Sequence, residues 1–269
     1  MKKRVLITLL IVPFCFNSFA KNPPGTVTVD ENFFIDAYEV SNLDWREYMF
    51  WTKRIYGPNS PEYKAVLPDT LVWRRPGAYN EPYVQYYHKH PAYFNYPVVG
   101  ISYDQAVAYC KWRTDRVNEK IYIKENKIEP NDGQQFPEAP QVYKYRLPTK
   151  AEWERVAKIG YSERTKKKMN RKKNKGKERH NLYGNETEEG LDKALNNKPD
   201  ITNQVDSYWP NAIGVYNIIG NVGEMVQGKF VKGGGWRTKV EHAKVEIDFE
   251  YVKPKDWVGF RCVCEKVHQ

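Results

Sequence analysis

The stretch from Asn211 to Glu224, NAIGVYNIIGNVGE, constrains this chain more than any other. It is short, glycine-punctuated and apolar, yet it carries oxygen donors at a useful spacing. Asn217 and Glu224 offer side-chain oxygens, and the carbonyls of Gly220 and Val222 fall between them. Hard cations such as calcium take several oxygens at once, from mixed carboxylate, amide and backbone sources. A looping segment with donors at i, i+3, i+5 and i+7 can wrap one ion. The same residues also describe a hairpin or buried turn whose Asn satisfies its own backbone.

What surrounds this stretch is rich in large rings, with 20 Tyr and eight Trp among 269 residues. That richness suits a loop-heavy fold in which aromatic side chains fill the space between irregular segments. The length allows one large domain or two small ones, and the 41% apolar content excludes a disordered chain. At the N-terminus, Lys2, Lys3 and Arg4 precede the apolar run Val5 to Phe16 and the small-residue site Ser18-Phe19-Ala20. This reads as a secretory signal peptide over residues 1–20. A run of about a dozen apolar residues is too short to span a bilayer. The expected location is the periplasm or the outer membrane. Cys15 offers a lipid-anchor alternative, which the bulky Phe14 disfavours. Export places the chain where disulfides form. Cys110, Cys262 and Cys264 then remain, which allows one internal bridge and one spare thiol. Cys262 and Cys264 lie two apart in an apparent strand and face the same side, so spacing does not choose between them. Three cysteines without a matching His make no zinc site.

The net charge of +10 is concentrated. Ten basic residues lie between Arg164 and Arg179, against Glu178 alone. A basic loop insertion at about 161–180 is expected to be solvated and mobile. Its candidate partners in an exported protein are anionic surfaces rather than nucleic acid. A solvated loop with no partner accounts for it equally well.

Along the chain, TVTVDENFFIDAYEV alternates and reads as extended. Ser41-Asn42 caps a helix over about Leu43 to Ile55. Residues 57–97 are rich in Pro and Tyr and read as a long irregular excursion. His88 and His90 lie in it as a candidate metal pair, though Pro91 and the flanking tyrosines favour a packed loop. Ser102 with Gln105 forms a capping box before a helix from about Tyr103 to Asn118, with Cys110 on its inner face. A polar connection over 119–142 leads to Tyr145-Arg146-Leu147-Pro148. Thr149 with Glu152 then caps a third helix. Lys229 to Lys232 reads as a strand, followed by Gly233-Gly234-Gly235-Trp236, and Trp257 to Val263 as a final strand. Few helices, short strands and long loops point to a single α+β domain over residues 21–269.

Six segments carry a family resemblance: PVVGISYDQAVAYCKW (97–112), YRLPTKAEWERVAK (145–158), NLYGNE (181–186), NAIGVYNIIGNVGE (211–224), VKGGGWR (231–237) and VGFRC (258–262). Each is weak alone, but six in order are specific. The chain resembles the formylglycine-generating enzyme, or sulfatase-modifying factor, family, whose fold is C-type-lectin-like. The resemblance implies a structural calcium at Asn217, Gly220, Val222 and Glu224. It also implies a disulfide between Cys110 and Cys262, closing a loop of about 150 residues. A second family calcium site is not recognisable among Asn196, Asn197 and Asp200.

The departures from the family are chemical. The family's oxidase holds copper between two cysteines after its glycine segment, and those positions are Thr238 and Ala243 here. Cu(I) needs thiolates, which neither residue supplies, so no copper is expected. The adjacent family Ser is replaced by Gly235, and the two Trp that flank the Glu are Gly223 and Met225. The run over 83–118 is similar to the gliding-motility and type IX secretion lipoproteins of the family, which are non-catalytic envelope subunits. Three functions therefore compete. One is a non-catalytic envelope protein that binds a protein partner. A second is an enzyme of altered chemistry, with His242, Glu241 and Arg237 as its candidate groups. The third is a glycan-binding protein.

Overall fold

A computed structural model describes residues 22–131, 133–174, 177, 179–183 and 201–267. The expected signal peptide, Asn196, Asn197, Asp200 and part of NLYGNE lie outside the described residues.

Two small sheets organise the chain. The first has the order β1 (Thr26–Asp30), β2 (Phe33–Asp36), β8 (Val263–Lys266), β3 (Tyr143–Arg146), all antiparallel. The second has the order β6 (Phe249–Glu250), β5 (Phe230–Lys232), β4 (Gly223–Val226), β7 (Val258–Gly259), with β4 and β7 parallel. The extended N-terminal stretch is thus a hairpin rather than one strand, turning at Glu31-Asn32.

Helix starts follow local chemistry. In α1 (Asn42–Tyr56) the Ser41 hydroxyl accepts from the Asp44 amide at 3.2 Å, and Asp44 accepts from the Ser41 amide at 2.9 Å. Gly57, at φ 93°, ends it, a conformation that glycine adopts without cost. Ser102 with Gln105 and Thr149 with Glu152 close the same reciprocal box on α4 (Tyr103–Glu125) and α5 (Lys150–Ala157). Helix α4 runs seven residues beyond the sequence expectation, taking up the start of the polar connection.

The Tyr-rich excursion is more regular than its sequence implies. It holds α2 (Pro61–Ala65), α3 (Glu81–Tyr86) and 3₁₀ turns at Thr70–Trp73 and Pro91–Tyr93. Its rings are largely core. Trp73 is fully buried against Tyr83 and Tyr87, and the Tyr87 hydroxyl donates to the Pro97 carbonyl at 2.6 Å. Tyr79 and Tyr86 are exposed. His88 and His90 do not form a metal pair. The His88 ring is buried against the Val99 carbonyl, and His90 accepts from the Ala92 amide.

The basic segment departs from the expected loop. Ser162 caps α6 (Glu163–Met169) through the Thr165 amide, and Met169, its one apolar residue, is buried. A cap and one buried anchor hold a short helix despite the charge.

The expected final strand is also broken. β7 and β8 belong to different sheets, and Phe260, Arg261 and Cys262 cross between them. The amides of Val40 and Asp36 donate to the carbonyls of Phe260 and Cys262, so the crossing stays hydrogen-bonded. Phe260 enters the main core, where its ring meets Trp45 and Tyr109 edge-on. Burying such a ring contributes about 1.5–3 kcal/mol.

Candidate functional site

The stretch from Asn211 to Glu224 ends on β4, which carries Glu224 into the interior. There Glu224 lies opposite Lys232 of β5 and Gly259 of β7. Its carboxylate is fully buried. The Arg261 Nε donates to both its oxygens at 2.8 Å, and the Trp153 Nε1 donates to Oε2 at 2.7 Å. The same guanidinium also donates to the carbonyls of Asp36 and Tyr216. Arg261 therefore ties β4, the Tyr216 turn and the first sheet together.

A second carboxylate, Glu39, lies beside this pair and is also buried. Asn221 donates to it at 2.9 Å and Asn217 at 3.2 Å. Burial pushes the Glu39 carboxyl up to about 8, with Glu224 adding to the rise and Arg261 opposing it. Near neutral pH Glu39 is therefore mostly protonated, and the Arg261 guanidinium balances the Glu224 carboxylate alone.

The turn between them is tight. Asn217, Gly220 and Asn221 all have positive φ, at 49°, 83° and 64°. Asn tolerates this region better than other non-glycine residues. A Cβ at Gly220 would lie 3.0 Å from the Asn181 carbonyl oxygen.

These contacts decide how the four expected calcium ligands stand. Glu224 is engaged by Arg261 and Trp153, and Asn217 turns its amide N–H toward Glu39 and the Val205 carbonyl. A cation on the expected set requires Glu224 to give up part of its bonding to Arg261 and Asn217 to turn its oxygen inward. Among the described residues no group of three or more His, Cys, Asp or Glu side chains is arranged to hold a metal. Glu39 and Arg261 were missed by sequence reasoning, although both lie in stretches it quoted, AYEV and GFRC. Their type carried no sign that they meet.

Cys110 and Cys262 are brought together. Both are buried thiols, with their Sγ atoms 3.5 Å apart. Cys264, two residues on, instead lies opposite Tyr145 in the sheet, and burial pushes its thiol up to about 12.

Thr238 and Ala243, which the resemblance sets at the family's copper positions, are also neighbours in space. Both are buried, and a Cβ built on Gly234 would lie 2.8 Å from Thr238 Cγ2 and 3.2 Å from Ala243 Cβ. The Thr238 hydroxyl accepts from the Gly235 amide at 3.0 Å. A side chain at Gly235 would meet the Trp257 carbonyl oxygen at 2.7 Å, so a serine there does not fit without movement. The Trp257 ring packs where a Gly223 side chain would begin, 3.0 Å from that Cβ. Arg237, Glu241 and His242 do not assemble. Arg237 pairs with Asp256, Glu241 lies 3.9 Å from Lys239, and His242 is exposed.

These features define a mixed α+β domain of short strands around a buried carboxylate–guanidinium centre, with Thr238 and Ala243 adjacent beside the glycine segment. The sulfatase-modifying factor enzyme 1-like domain model matches residues 12–266, and the chain belongs to that family. It is 28% identical over 229 residues to the formylglycine-generating enzyme of Mus musculus, covering 75% of this chain and 50% of that protein. It is 27% identical over 231 residues to the enzyme of that name from Thermomonospora curvata, covering 79% and 64%. The chain therefore spans about half the length of the mammalian relative. Among solved structures it is similar to PvdO from Pseudomonas aeruginosa, at 20% identity and TM-score 0.48, over 87% of this chain and 80% of that one. It is likewise similar to CarF, at 20% identity and TM-score 0.46, over 88% and 87%. No helix among the described residues is long and apolar enough to cross a membrane.

Proposed function

We propose that this chain is an exported, non-catalytic sulfatase-modifying-factor-like domain. Its role is that of a structural or binding component of a cell-envelope complex of the gliding-motility or type IX secretion kind. One observation carries the reading. The two positions that hold copper in the family's oxidase converge here as Thr238 and Ala243, and neither offers a thiolate. Glycine at 235 and 223, with Trp257 packed against both, supports it by closing the adjoining space. The signal-like N-terminus supports export.

A structural calcium at the stretch from Asn217 to Glu224 belongs to the same proposal. Its support is the cluster of oxygen donors there, with the Glu39 carboxyl beside Asn217 and Asn221, a group that a bound cation would draw into its ionised form. The disulfide between Cys110 and Cys262 belongs to it too, supported by their facing sulfurs.

The direct test gives the purified protein copper, oxygen and a sulfatase-type Cys peptide, and looks for formylglycine by mass. No conversion is expected, and conversion would overturn the reading. Cross-linking in the native envelope, followed by mass spectrometry, is expected to recover secretion or motility components.

A further inference from the structure

The cleft beside Thr238 has a chemistry of its own. It encloses about 780 Å³ between the 3₁₀ turn at Thr70–Trp73, the Arg237–Lys239 segment and the Lys253–Trp257 segment. Its lining includes Arg74, Arg75, Arg237, Lys239, Lys253 and Lys255, with Asp69 and Asp256 as its own acids, while Arg74 is held from outside the lining by Glu81 at 2.6 Å and Lys239 lies 3.9 Å from Glu241. Both acids are occupied. Asp69 accepts from the Leu71 amide at 2.9 Å, capping the turn. Asp256 is buried and lies between two arginines, with Arg237 Nη1 at 3.1 Å and Arg75 Nε at 3.7 Å.

That shared carboxylate holds the two guanidiniums in place. Both lie over the ring of Trp236, at 5.2 Å for Arg75 and 5.7 Å for Arg237. Stacked on an indole and tethered by one acid, two arginines lose little freedom when they bind a further anion. Arg75 Nε makes no hydrogen bond, and its nearest acceptor is the Asp256 carboxylate at 3.7 Å. Lys255 lies 5.3 Å over Trp257, and neither it nor Lys253 has a carboxylate partner among the described residues. Leu71, Val72, Phe249 and Pro254 add apolar wall between the cations.

We propose that this cleft binds an acidic peptide segment of a partner protein, with carboxylates on Arg75, Arg237 and Lys255 and an apolar side chain against Leu71 and Val72. The alternation of planar guanidinium forks with apolar wall favours a polypeptide over a free phosphate or a lipid headgroup. The inference rests on the reading that the domain binds a partner, and names where it does so.

The test measures fluorescence anisotropy of the exported chain with a short fluorescein-labelled peptide of alternating Glu and Tyr, at about 0.1 M salt. Binding with a Kd below about 100 μM is expected. Arg237→Gln with Lys253→Glu and Lys255→Glu should weaken it at least tenfold. Deleting residues 165–178 should leave it within twofold. The proposal is overturned by no binding, by equal binding to the triple variant, by equal binding of a Gln/Tyr peptide, or by loss on the deletion. Displacement of the peptide by inorganic phosphate or by phosphatidylserine vesicles at equal charge would also overturn it, assigning the cleft to a phosphate group. If the triple variant still cross-links the same envelope partner as the native chain, the cleft assignment falls and the partner-binding reading stands.

Discussion

Acidification should destabilise the domain through His88. The His88 ring is buried, and its Nε2 lies 2.9 Å from the Val99 carbonyl oxygen, so that nitrogen carries the hydrogen and donates. Its Nδ1 is buried without a partner, leaving nothing to receive a second proton's charge. Burial is the main cause that lowers the ring to about 4, with Lys89 adding to it and the Val99 carbonyl opposing. In the unfolded chain the ring titrates near its ordinary value of about 6.5. Between these values the unfolded state binds more protons than the folded one. The stability contributed by the neutral ring is therefore complete above about 6.5 and is lost as pH falls toward 4. At pH 5 the loss is about 2 kcal/mol, and over the whole window about 3 kcal/mol. For a domain of this size 2 kcal/mol lowers Tm by about 4–8 °C. The isolating variant is His88→Gln, whose amide can still donate to Val99. Melting both proteins at pH 7.5 and pH 5 should show the native chain losing about 2 kcal/mol more than the variant. His180, also lowered by burial, contributes to both and cancels. Equal losses in the two proteins would refute the argument.

Arg261→Leu strands Glu224 in the interior without its cation and should cost about 3–5 kcal/mol in a denaturant titration; a cost under 1 kcal/mol would mean the pair is dispensable. Protein produced in an oxidising compartment should carry the Cys110–Cys262 disulfide, seen as a mass loss of about 2 Da, and Cys262→Ala should cost about 4–5 kcal/mol in the chain-entropy model; full alkylation of both thiols in protein made under those conditions would exclude the bond. Calcium at a hundredfold excess over its Kd should stabilise the fold by about 2.7 kcal/mol. Asn217→Gly, which keeps the positive φ while removing the amide, should abolish that difference; identical melting curves in calcium and chelator would remove the ion from this locus. Thr238→Cys with Ala243→Cys should create a Cu(I) site detectable by competition with a chromogenic chelator, because the two side chains already converge; no gain in affinity would show that the positions do not face each other.

What the sequence alone determined lies within a few residues of itself. Ser41 with Asp44, Ser102 with Gln105 and Thr149 with Glu152 start their helices where expected, because a capping box closes inside one turn. The order of six motifs was enough for the family. The residue types at 238 and 243 were enough to exclude a thiolate pair there, since chemistry at a position does not depend on packing. Where each helix ended, or a strand broke, was less legible. Residues 119–125 read as polar connection yet continue α4, and Trp257 to Val263 reads as one strand yet serves two sheets.

Only the tertiary structure decided the rest. It chose Cys262 over Cys264 as the neighbour of Cys110, because the chain crosses between sheets just before β8 and turns Cys262 toward α4. It set Arg261 on Glu224 across 37 residues and brought Glu39 to Asn217 across 178. It also gathered Arg75, Arg237 and Lys255 around one cleft. In each case the interacting groups are brought together by burial of the aromatic and aliphatic side chains between them. The free energy of that burial depends on the whole packed arrangement, and no local spacing records it.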